Sequence, residues 1–143
     1  MIKQARRLVV LALLVPAAAA TVALASAPLK GATYAGTIAH AKAAITLKVS
    51  KNGKSVTVNV LSAPLYCQGG GAPERQLTKG APISKSGSFK GAIAYEFAPT
   101  HKITARLYVS GKFSGRTLNG SARSEFTLAH GCNGSASFTA QAK

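Results

Sequence analysis

From residue 32 onward, apolar and polar side chains alternate in successive short segments. Ile45, Leu47 and Val49 are separated by Thr46 and Lys48, and Val56, Val58 and Val60 by Thr57 and Asn59. Phe89, Ile93, Tyr95 and Phe97 share one parity, as do Ile103, Ala105, Leu107, Val109 and Phe113. Leu118, Ala122, Phe126 and Leu128 form a further set, followed by Ala136, Phe138 and Ala140. A period of two puts each set on one face of a strand. The intervening Ser, Thr, Lys, Arg and Asn suit water on the other face, as in antiparallel sheets that are solvated on one side. No helical period competes with this pattern. Tyr34, Gly36 and Ile38 add a first strand.

The pattern predicts about seven strands, near 32–39, 43–50, 54–61, 87–97, 102–113, 116–129 and 132–141. Lys51-Asn52-Gly53 between the second and third is a hairpin signal. The fold class is therefore all-β, an antiparallel β-sandwich or barrel. Most links are short, but Cys67–Ser86 is rich in Pro and Gly and reads as one long loop, a kind that is often functional. Ser86–Gly91 echoes Ser110–Gly115, and Asn119–Ala122 echoes Asn133–Ala136. The spacing is irregular, so these are recurring turn-and-strand chemistry rather than a repeat.

The first residues break the alternation. Lys3, Arg6 and Arg7 precede Leu8–Ala25, a run of 18 residues without a charge, and Ala23-Leu24-Ala25-Ser26-Ala27 follows. This is the layout of a secretory signal peptide. Cleavage fits after Ala25 or Ala27, and Pro28 favours the first. The organisation is then a signal over 1–25 and a single secreted β-domain over 26–143. Retention of the run as an anchor is the alternative, since its length just reaches a membrane span. Pro16 and the alanines make that span weak.

Removing residues 1–25 leaves 118 residues, enough for a self-sufficient core. Three of the 18 basic residues leave with the signal; the remaining 15 face three glutamates, Glu74, Glu96 and Glu125, and no aspartate, a net charge of +12. Such a one-sided charge favours solubility and attracts polyanions. The two cysteines, Cys67 and Cys132, form an even set in an exported chain, which predicts a disulfide between them. Closing a loop of that length stabilises by about 4 kcal/mol in the chain-entropy model. It would pin one end of the long loop to the last strand.

Five features together carry a resemblance: Gly31-Ala32-Thr33-Tyr34-Ala35-Gly36-Thr37, the Val49–Lys54 hairpin, Cys67 after the third strand, Gly111–Gly115, and Cys132-Asn133-Gly134 running to Phe138-Thr139-Ala140. The chain resembles small secreted β-rich proteins of unknown function from actinobacteria and similar high-GC bacteria. The resemblance implies a β-sandwich or barrel with one disulfide and brings no activity with it.

Catalytic chemistry finds little to work with. Three glutamates and no aspartate leave paired-carboxylate and Ser-His-Asp arrangements without their acids, and no Gly-x-Ser-x-Gly turn is present. Gly53-Lys54-Ser55 lacks the glycine that a phosphate-binding loop needs at position 48, which is Lys48. His40, His101 and His130 share no metal-ligand spacing. Asn119-Gly120-Ser121 and Asn133-Gly134-Ser135 match the glycosylation sequon but read as turns. The sequence thus predicts no enzyme, no metal and no cofactor.

The basic residues show two local concentrations. Lys48, Lys51 and Lys54 surround the first hairpin. Arg106, Lys112, Arg116 and Arg123 lie on or beside two adjacent strands, with Tyr108 on the same outward parity as Arg106 and Lys112. A basic strand face with an aromatic suits single-stranded nucleic acid, but one tyrosine and an extracellular address point away from that partner. These seven residues are the candidate anion-binding set. The expected function is that of a secreted, non-catalytic protein held electrostatically near anionic polymers of the cell envelope or extracellular space. The alternative is a secreted protein-binding module, of inhibitor or adhesin type, using the Cys67–Ser86 loop.

Overall fold

The structure is a computed structural model and describes residues 27–39, 43–61, 74–97, 99–127 and 133–143. Cys67, Cys132, His40, His130, Leu128, Lys42 and the export segment over 1–25 with its favoured cleavage site lie outside these residues. The described chain forms strands β1 (Thr33–Ile38), β2 (Ala43–Val49), β3 (Ser55–Leu61), β4 (Glu74–Thr78), β5 (Ala81–Pro82), β6 (Ser88–Phe97), β7 (Lys102–Ser114), β8 (Thr117–Phe126) and β9 (Gly134–Ala142). All pairings are antiparallel, in the order β4-β6-β7-β8-β9-β1-β2-β3-β5.

That order is a meander wrapped on itself. β4 pairs with β6 (Thr78 with Ile93), while β5, three residues on, pairs with β3 (Val56 with Ala81). Ile83 then bridges to Phe89 of β6, and its N–H donates to Lys54 O at 2.8 Å. Segments β4 and β5 therefore fill one position between β3 and β6, and the result is an eight-stranded, nearly closed antiparallel barrel. Closure removes the exposed edges that an open sheet would present.

This corrects the expected strand count and the single long loop over Cys67–Ser86. Glu74–Pro82 is interrupted by Lys79 and Gly80 and carries little apolar alternation. Its place in the wall comes from backbone pairing on both sides, which a side-chain pattern does not record. Of the loop expected to serve as a binding element, the part over 74–83 is barrel wall.

The alternating apolar sets point inward, as the pattern predicts, except beyond the register shift at Tyr95/Glu96, where Ile103 lies opposite Glu96, Phe97 lies opposite Lys102 and neither joins the core. Tyr34, Ile45, Leu47, Val56, Val60, Phe113, Leu118 and Ala140 are among the fully buried residues. An eight-stranded barrel is just wide enough for side chains to fill it. Ser124 is the one buried polar residue among those described, and its hydroxyl donates to Gly134 O at 3.4 Å.

Two inward-facing glycines permit tight curvature. A Cβ on Gly36 would fall far inside the contact distance of Thr139 O, and one on Gly120 would lie 2.5 Å from Phe138 Cζ. Only a residue without a side chain lets β1 approach β9 and lets the Phe138 ring lie over β8.

Candidate functional site at the cationic end of the barrel

Strand direction alternates around a meander, so the links gather at two ends. One end holds the tight turns. There Ser50 N–H donates to Ser55 O at 2.9 Å, Asn52 Oδ1 accepts from Lys54 N–H at 3.0 Å, and Gly53 takes a φ of 75°. The Asn52-Gly53 signal thus forms the expected hairpin, with the Asn carboxamide holding the loop and glycine supplying the left-handed residue. The turns over 84–87 and 115–116 and the entry turn over 29–32 lie at the same end. At the opposite end, β1 leads to β2, β3 to β4, β6 to β7 and β8 to β9.

Ionic side chains are sorted between these ends. Lys48, Lys51 and Lys54 are exposed on and beside the β2–β3 hairpin. Lys30 joins them, because its stem lies against Gly53, where an added Cβ would sit 3.1 Å from Lys30 Cγ. Lys112 is three residues from the β7–β8 turn, and Arg116 within that turn donates from Nη2 to Ala142 O at 3.2 Å. Lys85 and Lys143 complete this end; the backbone N–H of Lys143 donates to Thr33 O at 2.9 Å. No Asp or Glu side chain lies at this end among the described residues. Glu74 begins β4, while Glu96 and Glu125 stand one residue from the ends of β6 and β8, so all three glutamate positions belong to the opposite end.

The second expected cluster therefore divides. Lys112 and Arg116 join the hairpin lysines. Arg106 and Arg123 do not: they lie toward the opposite end, where Arg106 pairs in register with Glu125 and Arg123 forms an ion pair with Glu125. Arg123 also stacks its guanidinium 4.7 Å from the centroid of the Tyr108 ring. These partners offset part of the charge that a polyanion would meet. Lys30, Lys85 and Lys143 are the members that sequence spacing did not reveal, because chain separation hides their common end.

Ammonium and guanidinium groups are hydrogen-bond donors suited to oxyanions. A shallow recess lined by Gly31, Lys48, Ser50, Lys51 and Thr57 lies among them. At the opposite end His101, at a φ of 53°, places Nδ1 2.8 Å from Glu96 Oε1. Among the described residues no group of three or more His, Cys, Asp and Glu side chains is placed to hold a metal ion. No helix there is long and apolar enough to cross a membrane. No protein-family model, curated protein or solved structure matches the chain.

Proposed function

We propose that this is an exported, non-catalytic binding barrel that attaches to anionic polymers of the cell envelope or extracellular space through its tight-turn end. The observation that carries this reading is the segregation of charge: lysines and arginines from five separate chain segments converge on one end, and the glutamates lie at the other. A field of one sign attracts a polyanion without needing a shaped pocket. The same reading takes Cys67 and Cys132 as a disulfide in the oxidising exterior.

Retention on a phosphate-bearing matrix across a salt series, beside a neutral matrix, tests the attachment. Exposed charges are screened over about 10 Å at 0.1 M salt, so retention falls steeply from low to physiological salt. Replacing Lys30, Lys51, Lys54 and Lys85 by Gln removes most of it. Replacing Lys79, Lys102 and Arg106 removes far less. Equal losses in the two variants would refute an end-specific site. Intact mass without reductant, two hydrogens below the thiol form, checks the disulfide.

A further inference from the structure

We infer that the tight-turn end is a docking surface for anionic lipid bilayers, with Leu29 as an apolar anchor inside the cationic ring. The inference rests on the polyanion reading of that end and names its partner.

Leu29 is 38% exposed and is the large hydrophobic side chain left exposed among the described residues. Its position is fixed from several sides. Its N–H donates to Tyr34 Oη at 2.9 Å, and the Tyr34 hydroxyl donates to Gly115 O at 2.5 Å, which ties the entry segment to the β7–β8 turn. Ala32 N–H closes the entry turn onto Leu29 O at 3.2 Å, and Gly31 N–H donates to Ser50 O at 3.1 Å, which ties it to the β2–β3 hairpin. Pro28, just before it, is buried. The entry turn is thus fastened both to the β2–β3 hairpin that carries Lys51 and Lys54 and to the β7–β8 turn that carries Arg116, which holds Leu29 at the cationic end.

A soluble polyanion gains nothing from an exposed leucine, whereas a bilayer does. Its headgroups meet the cations, and the interface accepts an apolar side chain that water disfavours.

The chain has no tryptophan, so Leu29→Trp supplies a single reporter. The described strands lie within 33–142, so the chain over 26–143 carries the barrel and is the protein to use, with far-UV circular dichroism confirming each variant's fold. The probes are vesicles of phosphatidylglycerol and phosphatidylcholine, vesicles of phosphatidylcholine alone, and soluble polyphosphate. The expected result has three parts. Leu29→Trp emission shifts to the blue on phosphatidylglycerol vesicles and stays unchanged with polyphosphate. Leu29→Asn weakens vesicle binding about tenfold and Leu29→Ala somewhat less, with polyphosphate binding untouched because neither changes the charge. Lys51→Gln weakens both by about fivefold. Polyphosphate binding with no emission shift, and with Leu29→Asn equal to wild type on vesicles, would overturn the bilayer inference and leave the polyanion reading standing. Binding to neither anionic probe would overturn both.

Discussion

Toward the tight-turn end the barrel interior is filled by rings. Tyr34 and Phe113 meet edge-on with centroids 5.0 Å apart, and Phe89 lies 5.6 Å from Phe113. Outside that end the charge is positive and the turns are fastened by the Tyr34 hydroxyl and the Asn52 carboxamide. Toward the opposite end the inward positions are smaller: Ala43, Ala105, Ala122 and Ala136 stand among Ile38, Val60 and Tyr95. There the glutamate positions lie, and Arg123 is engaged by Glu125. One end is thus packed with rings and free of glutamates; the other is packed with smaller side chains and carries the glutamates. A site that binds by field alone needs fixed, unpaired charges, and the chain supplies them where the packing is heaviest.

The largest effects come from the curvature that brings the two ends into one barrel. Gly36→Val forces a branched side chain into the β1–β9 contact, where even a single Cβ does not fit. We expect loss of the folded state, seen as the absence of a cooperative thermal transition. Packing comes next. Phe113→Ala removes the ring that touches both Tyr34 and Phe89 and should lower unfolding stability by about 3–5 kcal/mol. Ala105→Val overfills the opposite half and should cost about 1–3 kcal/mol. Urea unfolding of both variants decides it: an Ala105→Val cost equal to or above that of Phe113→Ala would erase the contrast in packing.

Much of this architecture was legible in the alternation. The inward sets read from the sequence are inward where described up to the register shift at Tyr95/Glu96, beyond which Ile103 lies opposite Glu96 and Phe97 opposite Lys102 and neither is buried; the Asn52-Gly53 turn falls where its chemistry placed it. Glu74–Pro82 was not legible, because polar residues, Gly80 and Pro82 mask a segment held in place by pairing to β3 and β6. That single omission matters beyond its length. Direction alternates from strand to strand in a meander, so one missing strand inverts the assumed direction of every later strand. An odd number of strands also cannot close with antiparallel pairs alone. Sorting Lys85, Arg116 and Lys143 to one end and Glu96 and Glu125 to the other needs the correct count. The lysines around the hairpin were visible from spacing alone, whereas the joining of Lys30 required the contact with Gly53.

Fastening of the cationic end is the next effect in size. Tyr34→Phe removes a hydroxyl that accepts from Leu29 N–H and donates to Gly115 O. Two backbone groups lose their partner, at about 1–2 kcal/mol. Hydrogen exchange should show faster exchange of the Leu29 amide, with β2 and β3 unchanged. An unaltered Leu29 exchange rate would mean that the entry turn holds without the tyrosine.

The smallest expected effect tests whether the opposite end is electrostatically balanced. Arg123 and Glu125 are two residues apart on the outer face of β8, with side chains 56% and 39% exposed. An ion pair so open to water adds about 0.2–1 kcal/mol to stability, because solvent screens it and both side chains lose freedom in forming it. Glu125→Gln should therefore leave the melting temperature almost unchanged. It also frees Arg123, and Arg106 across the β7–β8 ladder, from their neighbouring carboxylate. Retention on an anionic matrix at low salt should rise slightly, by less than the loss caused by Lys51→Gln at the other end. A rise that matches or exceeds that loss would show that the opposite end rivals the lysine ring as a polyanion surface, and the division of the barrel into a binding end and a balanced end would fail.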